Sequence, residues 1–456
     1  MVPSFLRRHG RPFQNLRPGQ LIVLTFAGII LLGAGLLCLP AASRSGEPTP
    51  FLTSLFTATS ATCVTGLIRV DTGLHWSGFG QAVILLLIQV GGLGFMSIAC
   101  IFFFALRRKI GLRQRMLLAQ ALSSDSYSGI VSLVRNILRG TFAVEGAGAL
   151  ILFFRFLPEF GFGRALWYGV FHSVSAFCNA GFDVLGDVDV GGSLCGYAAD
   201  PVVNGTIMAL IIIGGLGFAV WGDLRKNRKF SRLSVYTRLV VLITAVLIFG
   251  GAAAFAALEW NNPATIGTLS VPQKLMAALF QSVTLRTAGF TTIDQNALSD
   301  VSKAVSDVLM FIGGSSGSTA GGVKTVTVGV ILLASWAAAR GRTHVTVMHR
   351  TIPARAIANA TALFVLVLVL ALAGGAFLSV ADGVSLENAI YETVSALCTV
   401  GLTTGITGTL CAASQILLII FMFFGRLGIM TISVGFMAAD PGSERIGYAE
   451  TKIMIG

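Results

Sequence analysis

The sequence predicts an all-α membrane protein: four span–pore-loop–span repeats, eight transmembrane helices in all, arranged with pseudo-fourfold symmetry around a single central pore. Three observations predict it. Of 456 residues, 54% are hydrophobic and only 11% charged, where an average soluble domain carries about 25% charge. Apolar runs long enough to cross a bilayer, about 20 residues, recur along the whole chain. A short glycine-bearing motif is written four times at nearly even spacing. The apolar content excludes disorder and collagen-like structure, and seven cysteines in this length exclude a disulfide scaffold.

Uncharged runs occupy Leu21–Leu39, Phe79–Leu106, Val202–Gly222, Leu239–Leu258 and Ala356–Ala381. Three more each hold one ionisable residue: Gly140–Phe154 with Glu145, Val308–Ala339 with Lys324, and Ala412–Ala439 with Arg426. The first run is too long for a signal-peptide core and lacks a small-residue cleavage pattern, so it reads as a span. The net charge of +12 is concentrated on alternate connections. Arg7, Arg8, Arg11 and Arg17 precede the first span, and Arg107, Arg108, Lys109, Arg113 and Arg115 follow the second. Arg225, Lys226, Arg228, Lys229, Arg232 and Arg238 follow the fourth, and Arg340, Arg342, Arg350 and Arg355 the sixth. By the positive-inside rule these loops and both termini are cytoplasmic, in a multi-pass protein of the cell (inner) membrane. Orientation accounts for the charge without a nucleic-acid partner.

Between paired spans lie apolar stretches too short to cross: Phe51–Ala61, Ala165–Phe177, Leu275–Leu285 and Leu386–Leu397. Each runs into a turn ending in glycine: Val64-Thr65-Gly66, Asn179-Ala180-Gly181, Thr287-Ala288-Gly289 and Thr399-Val400-Gly401, the glycines 115, 108 and 112 residues apart. Ser173-Val174-Ser175, Ser282-Val283-Thr284 and Thr393-Val394-Ser395 reinforce the match upstream. A second landmark recurs downstream as Gly91-Gly92-Leu93-Gly94, Gly214-Gly215-Leu216-Gly217, Gly313-Gly314 and Gly425-Arg426-Leu427-Gly428. Small residues let membrane helices pack closely, which covers these downstream glycines. It does not cover a polar turn after every half-length helix. Irregular backbone at membrane depth must be buried in protein or line a wet cavity. Four such turns around one axis would form a carbonyl ring able to replace the hydration shell of a monovalent cation, with the half-helix C-termini aiming negative dipoles at it. The repeat boundaries read as 1–110, 111–230, 231–345 and 346–456.

These motifs, with Thr287-Ala288-Gly289-Phe290, Cys178-Asn179-Ala180-Gly181-Phe182, the stretch Gly313–Thr325 and the ending Glu450–Gly456, resemble the Trk/Ktr/HKT superfamily of potassium transporters over essentially the whole chain. Eight spans without an extra N-terminal pair look more like its Ktr branch. The resemblance implies that the four turns coordinate potassium through their backbone, and that glycine at all four positions favours potassium over sodium. It implies an intramembrane gating loop at Gly313-Gly314-Ser315-Ser316-Gly317-Ser318-Thr319-Ala320-Gly321-Gly322, closing on Lys324. It also implies that Arg426 is an electrostatic barrier in the permeation path. It implies a homodimer with one pore per subunit, and a cytosolic ring of RCK-type nucleotide-binding regulatory subunits (KtrA-like). No cofactor is expected on this chain, with potassium as substrate and sodium left open as an activator. The chain is not expected to be an enzyme. The competing classes are a Trk-type subunit with a different regulator and a broken-helix secondary cation transporter, for which inverted rather than same-orientation repeats are expected.

The residues themselves carry alternatives. Gly313–Thr325 superficially resembles a phosphate-binding loop, but that motif needs Lys directly after Gly and Val323 intervenes. An unwound blocking segment is preferred over a plain kinked helix. A charge at the depth of Arg426 costs at least about 2.5–3.5 kcal/mol, so it faces the water-filled pore or an inter-helix salt bridge. Arg286 occupies the position held by Cys63, Cys178 and Cys398 in the other repeats. A guanidinium facing the path would repel the ion, so Arg286 is expected behind the filter, paired with Glu392. Glu145 is either protonated or paired with an arginine of another repeat. The stretch Leu112–Leu138 is amphipathic, suiting a membrane surface or a partner. No transition-metal site is expected: the cysteines and the scattered histidines show no ligand spacing.

Overall fold

The structure, a computed structural model, describes residues 18–94, 130–186, 192–227 and 229–428. The basic N-terminus, the cluster at 107–115, the amphipathic stretch up to 129 and the ending 450–456 lie outside these residues.

The first quarter contains α1 (Pro18–Leu37), α2 (Phe51–Cys63), the single turn α3 (Thr72–His75) and α4 (Gly78–Leu93). The second contains α5 (Ile130–Phe177), α6 (Pro201–Leu216) and α7 (Phe218–Lys226). The third holds α8 (Val235–Glu259), α9 (Val271–Thr284), α10 (Asp300–Phe311) and α11 (Thr325–Ala339). The last holds α12 (Ala354–Asp382), α13 (Leu386–Leu397) and α14 (Ala412–Leu427). Strands β1 (Thr346–Val347) and β2 (Arg350–Thr351) form a small hairpin between α11 and α12. Its two-residue turn, Met348 and His349, has positive φ at both positions, the geometry that matches hairpin twist. It is the one departure from helix among the described elements, and neither residue is one of the usual turn formers.

Among the described residues, α1, the 134–177 portion of α5, α8 and α12 are long and apolar enough to cross a membrane. α5 is two helices in one run: Gly161 (φ 71, ψ 173) breaks it, leaving 162–177 as a half-length helix. The helix α2 has 13 residues, about 20 Å at 1.5 Å per residue, well short of a hydrocarbon core of about 30 Å. Among the described residues, the runs Val202–Gly222 and Val308–Ala339 are broken rather than continuous. The run Val202–Gly222 stops at Leu216, and α7 leaves α6 at 92°. α4, α6 and α14 each end on a glycine of positive φ: Gly94 (77°), Gly217 (93°) and Gly428 (80°). A residue with a Cβ resists that conformation, so the break is written into the sequence.

Caps fix where helices start. The Asp200 carboxylate accepts the N–H groups of Val202 and Val203 at 2.9 and 3.0 Å, ahead of Pro201 in the first turn of α6. Ser270 and Gln273 form a capping box on α9. At the end of α8 the buried Glu259 accepts bonds from Ser299, Ser302, Thr265 and Asn262, so an anion is held there by neutral donors.

The packing is cyclic. Each long helix packs on the half-length helix that follows it: α1 on α2, α8 on α9, and α12 on α13. Each broken helix also packs forward, α4 on α5, α6 on α9, α10 on α13, and α14 back on α2. The chain thereby closes into a ring with the half-length helices inside.

Candidate functional site

Each half-length helix leads into a residue of left-handed backbone: Val64 (φ 57), Asn179 (φ 58), Thr287 (φ 64) and Thr399 (φ 52). Two residues later stands a glycine of positive φ: Gly66 (99), Gly181 (69), Gly289 (83) and Gly401 (93). The residues between them, Thr65, Ala180, Ala288 and Val400, lack a positive φ. Alternating the hand of successive residues brings carbonyls toward one edge of the chain and N–H groups toward the other, the arrangement that ion filters use.

The turns meet edge to edge. A Cβ on Gly66 would lie 2.5 Å from the carbonyl oxygen of Ala180; one on Gly181, 2.8 Å from that of Ala288; one on Gly289, 2.6 Å from that of Val400. A Cβ on Gly401 would overlap the carbonyl oxygen of Thr65, which closes the circle. In every case the glycine faces the carbonyl of the residue before the next glycine. Only glycine permits that approach.

Hydroxyls hold the turns from behind. Ser60 and Ser395 accept the N–H of Gly66 and Gly401, each at 3.1 Å. Ser175 and Thr284 instead donate to the carbonyls of Phe182 and Phe290, at 2.7 and 2.6 Å. In the third quarter the turn is one residue shorter. There the Ala288 N–H reaches Thr284 O at 2.9 Å, where Thr65, Ala180 and Val400 reach Ser60, Ser175 and Ser395 five residues back. The missing residue is absorbed at the helix end and the turn is preserved. The first hydroxyls of the paired motifs tie each half-helix to its long neighbour: Ser173 to Glu145 O, Ser282 to Ile248 O and Thr393 to Ala371 O. Ser60 belongs to the same pattern and is found by aligning the repeats on their glycines. We expect Ser395→Ala to orphan the Gly401 N–H, a loss of about 1–3 kcal/mol. A lower thermal midpoint of the detergent-solubilised protein checks it, with Ser395→Thr keeping the acceptor and the midpoint.

The downstream landmark lies directly beneath. A Cβ on Gly91, Gly214 or Gly425 would collide with the carbonyl of Thr62, Phe177 or Leu397, each four residues before a glycine of the ring. Close helix packing is thus what these glycines provide. Between α10 and α11 the chain is unwound, and the segment 313–324 crosses under the ring of turns. It is tied to the α6 break by Ser315 N–H to Gly215 O at 3.1 Å and Thr319 N–H to Gly214 O at 3.3 Å, and to the end of α5 by Thr319 Oγ1 to Phe177 O at 3.1 Å. On the opposite side Gly321 and Gly322 pack against Thr399 and Cys398, the start of the fourth turn.

Two cations hold this segment without a carboxylate. Lys324 Nζ donates to Ala320 O at 2.8 Å and Gly321 O at 3.3 Å. Arg426 donates to Thr319 O, Gly91 O and Gly92 O, bridging the loop to the end of α4 across the space below the ring of turns. Arg426 makes no salt bridge among the described residues, which corrects that alternative: carbonyls freed by the broken helices supply its acceptors.

The expected pair of Arg286 and Glu392 is not formed. Arg286 is buried in a small cleft lined by Ile211, Thr244, Ile248 and Val283, and its Nε has no acceptor. Glu392 is fully buried elsewhere, accepting from Thr407 within its own quarter. The Arg286 cleft is formed by α6 and α8 residues, Ile211, Ile212, Gly215, Thr244 and Ile248, away from Glu392, and the Arg286 backbone carbonyl meets Asn179 Nδ2 at 3.4 Å. Glu145 also finds no arginine. Gln89 donates to both its oxygens at 3.1 and 3.2 Å, and the Cys178 thiol lies 3.9 Å away. Neither Gln89 nor that thiol carries a sequence signal that would have named it.

A sequence profile of the family described as TrkH, cation transport protein, matches residues 3–445. The potassium/sodium uptake protein NtpJ of Enterococcus hirae is 39% identical, over 97% of this chain and 98% of its own length. The Ktr system potassium uptake protein B of Bacillus subtilis is 38% identical, over 96% of this chain and 97% of that protein. The potassium transporter TrkH of Vibrio parahaemolyticus, solved by crystallography, superposes with a TM-score of 0.74 at 18% identity, covering 94% of this chain and 86% of that one. At that identity the likeness is one of fold.

Proposed function

The chain belongs to the TrkH cation transport protein family, and from that premise we propose that it takes up potassium through a central pore in the cell membrane. In this reading eight spans form four pseudo-symmetric span–pore-loop–span repeats with both termini in the cytoplasm. The selectivity filter is the carbonyl ring of Val64–Gly66, Asn179–Gly181, Thr287–Gly289 and Thr399–Gly401. The observation that carries the reading is the closed circle of positive-φ glycines, each against the next repeat's carbonyl. A monovalent cation is coordinated there by backbone oxygens, and selectivity depends on ring size and on the number of carbonyl dipoles.

The loop 313–324 serves as the gate. It lies under the ring, and two positive charges, Lys324 and Arg426, stand with it in the path. Passage of a potassium ion therefore requires the loop and its cations to move aside. A homodimer and a cytosolic RCK-type nucleotide-binding ring are the expected partners. The Ktr system named in the relatives supports a separate regulatory subunit. The name of the Enterococcus relative, potassium/sodium uptake protein, supports testing sodium as an activator.

Rubidium uptake into liposomes holding the full chain, with and without sodium, tests the function. Wild type is expected to accumulate rubidium down its gradient and to prefer potassium over sodium in competition. Gly66→Ser introduces a Cβ at φ 99 and 2.5 Å from Ala180 O, so it is expected to lower that preference at least several-fold. Unchanged competition in Gly66→Ser would overturn the filter assignment.

A further inference from the structure

The loop is tied at Ser315 and Thr319 to the α6 break and the end of α5, and two further attachments lie at its pore-side stretch and its apex. Its pore-side stretch, Thr319–Lys324, is held by Arg426, by Lys324 itself and by packing on Cys398 and Thr399. Its apex, Ser316 and Gly317, is half-buried and reaches away from the filter. Two consecutive apex carbonyls are caught there from outside the pore. The Phe218 N–H, first in α7, donates to Gly317 O at 2.9 Å. The Tyr236 hydroxyl, in the first turn of α8, donates to Ser316 O at 3.1 Å.

The donors belong to one mechanical unit. Gly217 sets the 92° elbow between α6 and α7. A Cβ there would lie 2.8 Å from Ser315 Oγ and 3.0 Å from Ser316 O, so the elbow and the apex are in direct contact. The Trp221 Nε1–H donates back to Ile213 O at 2.9 Å, pinning α7 against α6. Asp223 accepts the Ser234 N–H at 2.9 Å and Asn227 Nδ2 at 2.8 Å, linking α7 to the start of α8. The Phe218 amide is aimed at Gly317 only because the chain turns at Gly217. Straightening the elbow would withdraw that donor.

We propose that the α6–α7 elbow and Tyr236 form a latch that holds the apex of loop 313–324 in the closed position, so that displacing α7 releases the gate. Tyr236 is a positioning residue: it acts on the ion path only through the loop and touches no filter atom in the structure. Because α7 ends in Arg225 and Lys226 on the basic face, a force applied there would reach the apex directly through the Phe218 bond and, by way of the Asp223–Ser234 link, through Tyr236 on α8. The inference rests on the reading of the loop as a gate. An ordinary hydrogen bond contributes about 0.5–1.5 kcal/mol, which corresponds to an increase of about two- to tenfold in the open population when it is removed.

The test is initial rubidium uptake by the full chain in liposomes for wild type, Tyr236→Phe, a deletion of Ser315–Ala320, and the two combined, with each protein's thermal midpoint recorded. Tyr236→Phe keeps the ring and its packing, so it is expected to fold. It is expected to raise uptake two- to tenfold in the intact chain, with potassium preference unchanged, and to add nothing in the loop-deleted background. If the deletion raises uptake while Tyr236→Phe equals wild type, the latch is overturned and the gate stands. If Tyr236→Phe shifts both backgrounds equally, Tyr236 is merely structural and the latch is overturned. If the deletion leaves uptake unchanged, both readings fall.

Discussion

Gly401→Ala is expected to remove nearly all potassium uptake while leaving the helices in place. The residue sits at φ 93, and an added Cβ would overlap the carbonyl oxygen of Thr65 and lie 2.8 Å from the Cα of Gly66. Left-handed backbone costs an L-residue about 1–2 kcal/mol, and overpacking a tight contact typically costs about 1–3 more. If that strain falls on the ring geometry, each 1.4 kcal/mol lost in ion binding is worth about tenfold, so uptake is expected to fall by about 100-fold. Initial rubidium uptake measures it. The control is Gly205→Ala on α6, where a Cβ meets nothing within 4 Å and uptake is expected to match wild type. Equal loss in both variants would mean that the effect is not in the filter.

Arg426→Gln is expected to raise uptake by about ten- to a hundredfold. Arg426 donates to three carbonyls on two different segments, Thr319 of the loop and Gly91 and Gly92 of the α4 break. Hydrogen bonds from a charged donor contribute about 1.5–3 kcal/mol each. Their loss frees the pore-side attachment of the loop and also removes a positive charge from the proposed ion route. Arg426→Lys separates the two effects. Lysine keeps the charge but not the fork that spans both segments. If charge is the barrier, the lysine variant stays near wild type; if the tether is, it behaves like the glutamine variant. Uptake in Arg426→Gln at or below the wild-type rate, with folded protein, would discard both.

Periodic features were legible in the sequence. Half-length apolar stretches, turn glycines and downstream glycines recur at fixed offsets, and each reports a local demand of the backbone: a length, a positive φ, or an absent Cβ. The half-helix Leu386–Leu397 appears in the structure with the same limits. Partner choice was less legible. Arg286 and Glu392 were natural mates by charge and by position along neighbouring half-helices. In the fold Arg286 lies in a cleft between α6 and α8, and Glu392 is served by a threonine of its own quarter. Glu145 likewise turns to Gln89, 56 residues away, because α4 is the helix that packs on α5. Hydropathy alone joins Val202–Gly222 into one run, because it does not register the 92° turn at Gly217, although the glycine landmark there marks a break.

By itself, then, the sequence determined that this chain is built of membrane helices, where the helices must be short, and at which residues the backbone must turn left-handed. These are properties of hydrocarbon thickness and of glycine's missing Cβ, and they act within a few residues. Only the tertiary structure decided what the turns and charges meet: that each turn glycine faces the carbonyl of the next turn, that Arg426 grips carbonyls instead of a carboxylate, and that the loop apex hangs from α7 and Tyr236. Those contacts join residues roughly 80 to 335 apart in the chain. They depend on how the ring of helices closes, and no local pattern encodes that closure.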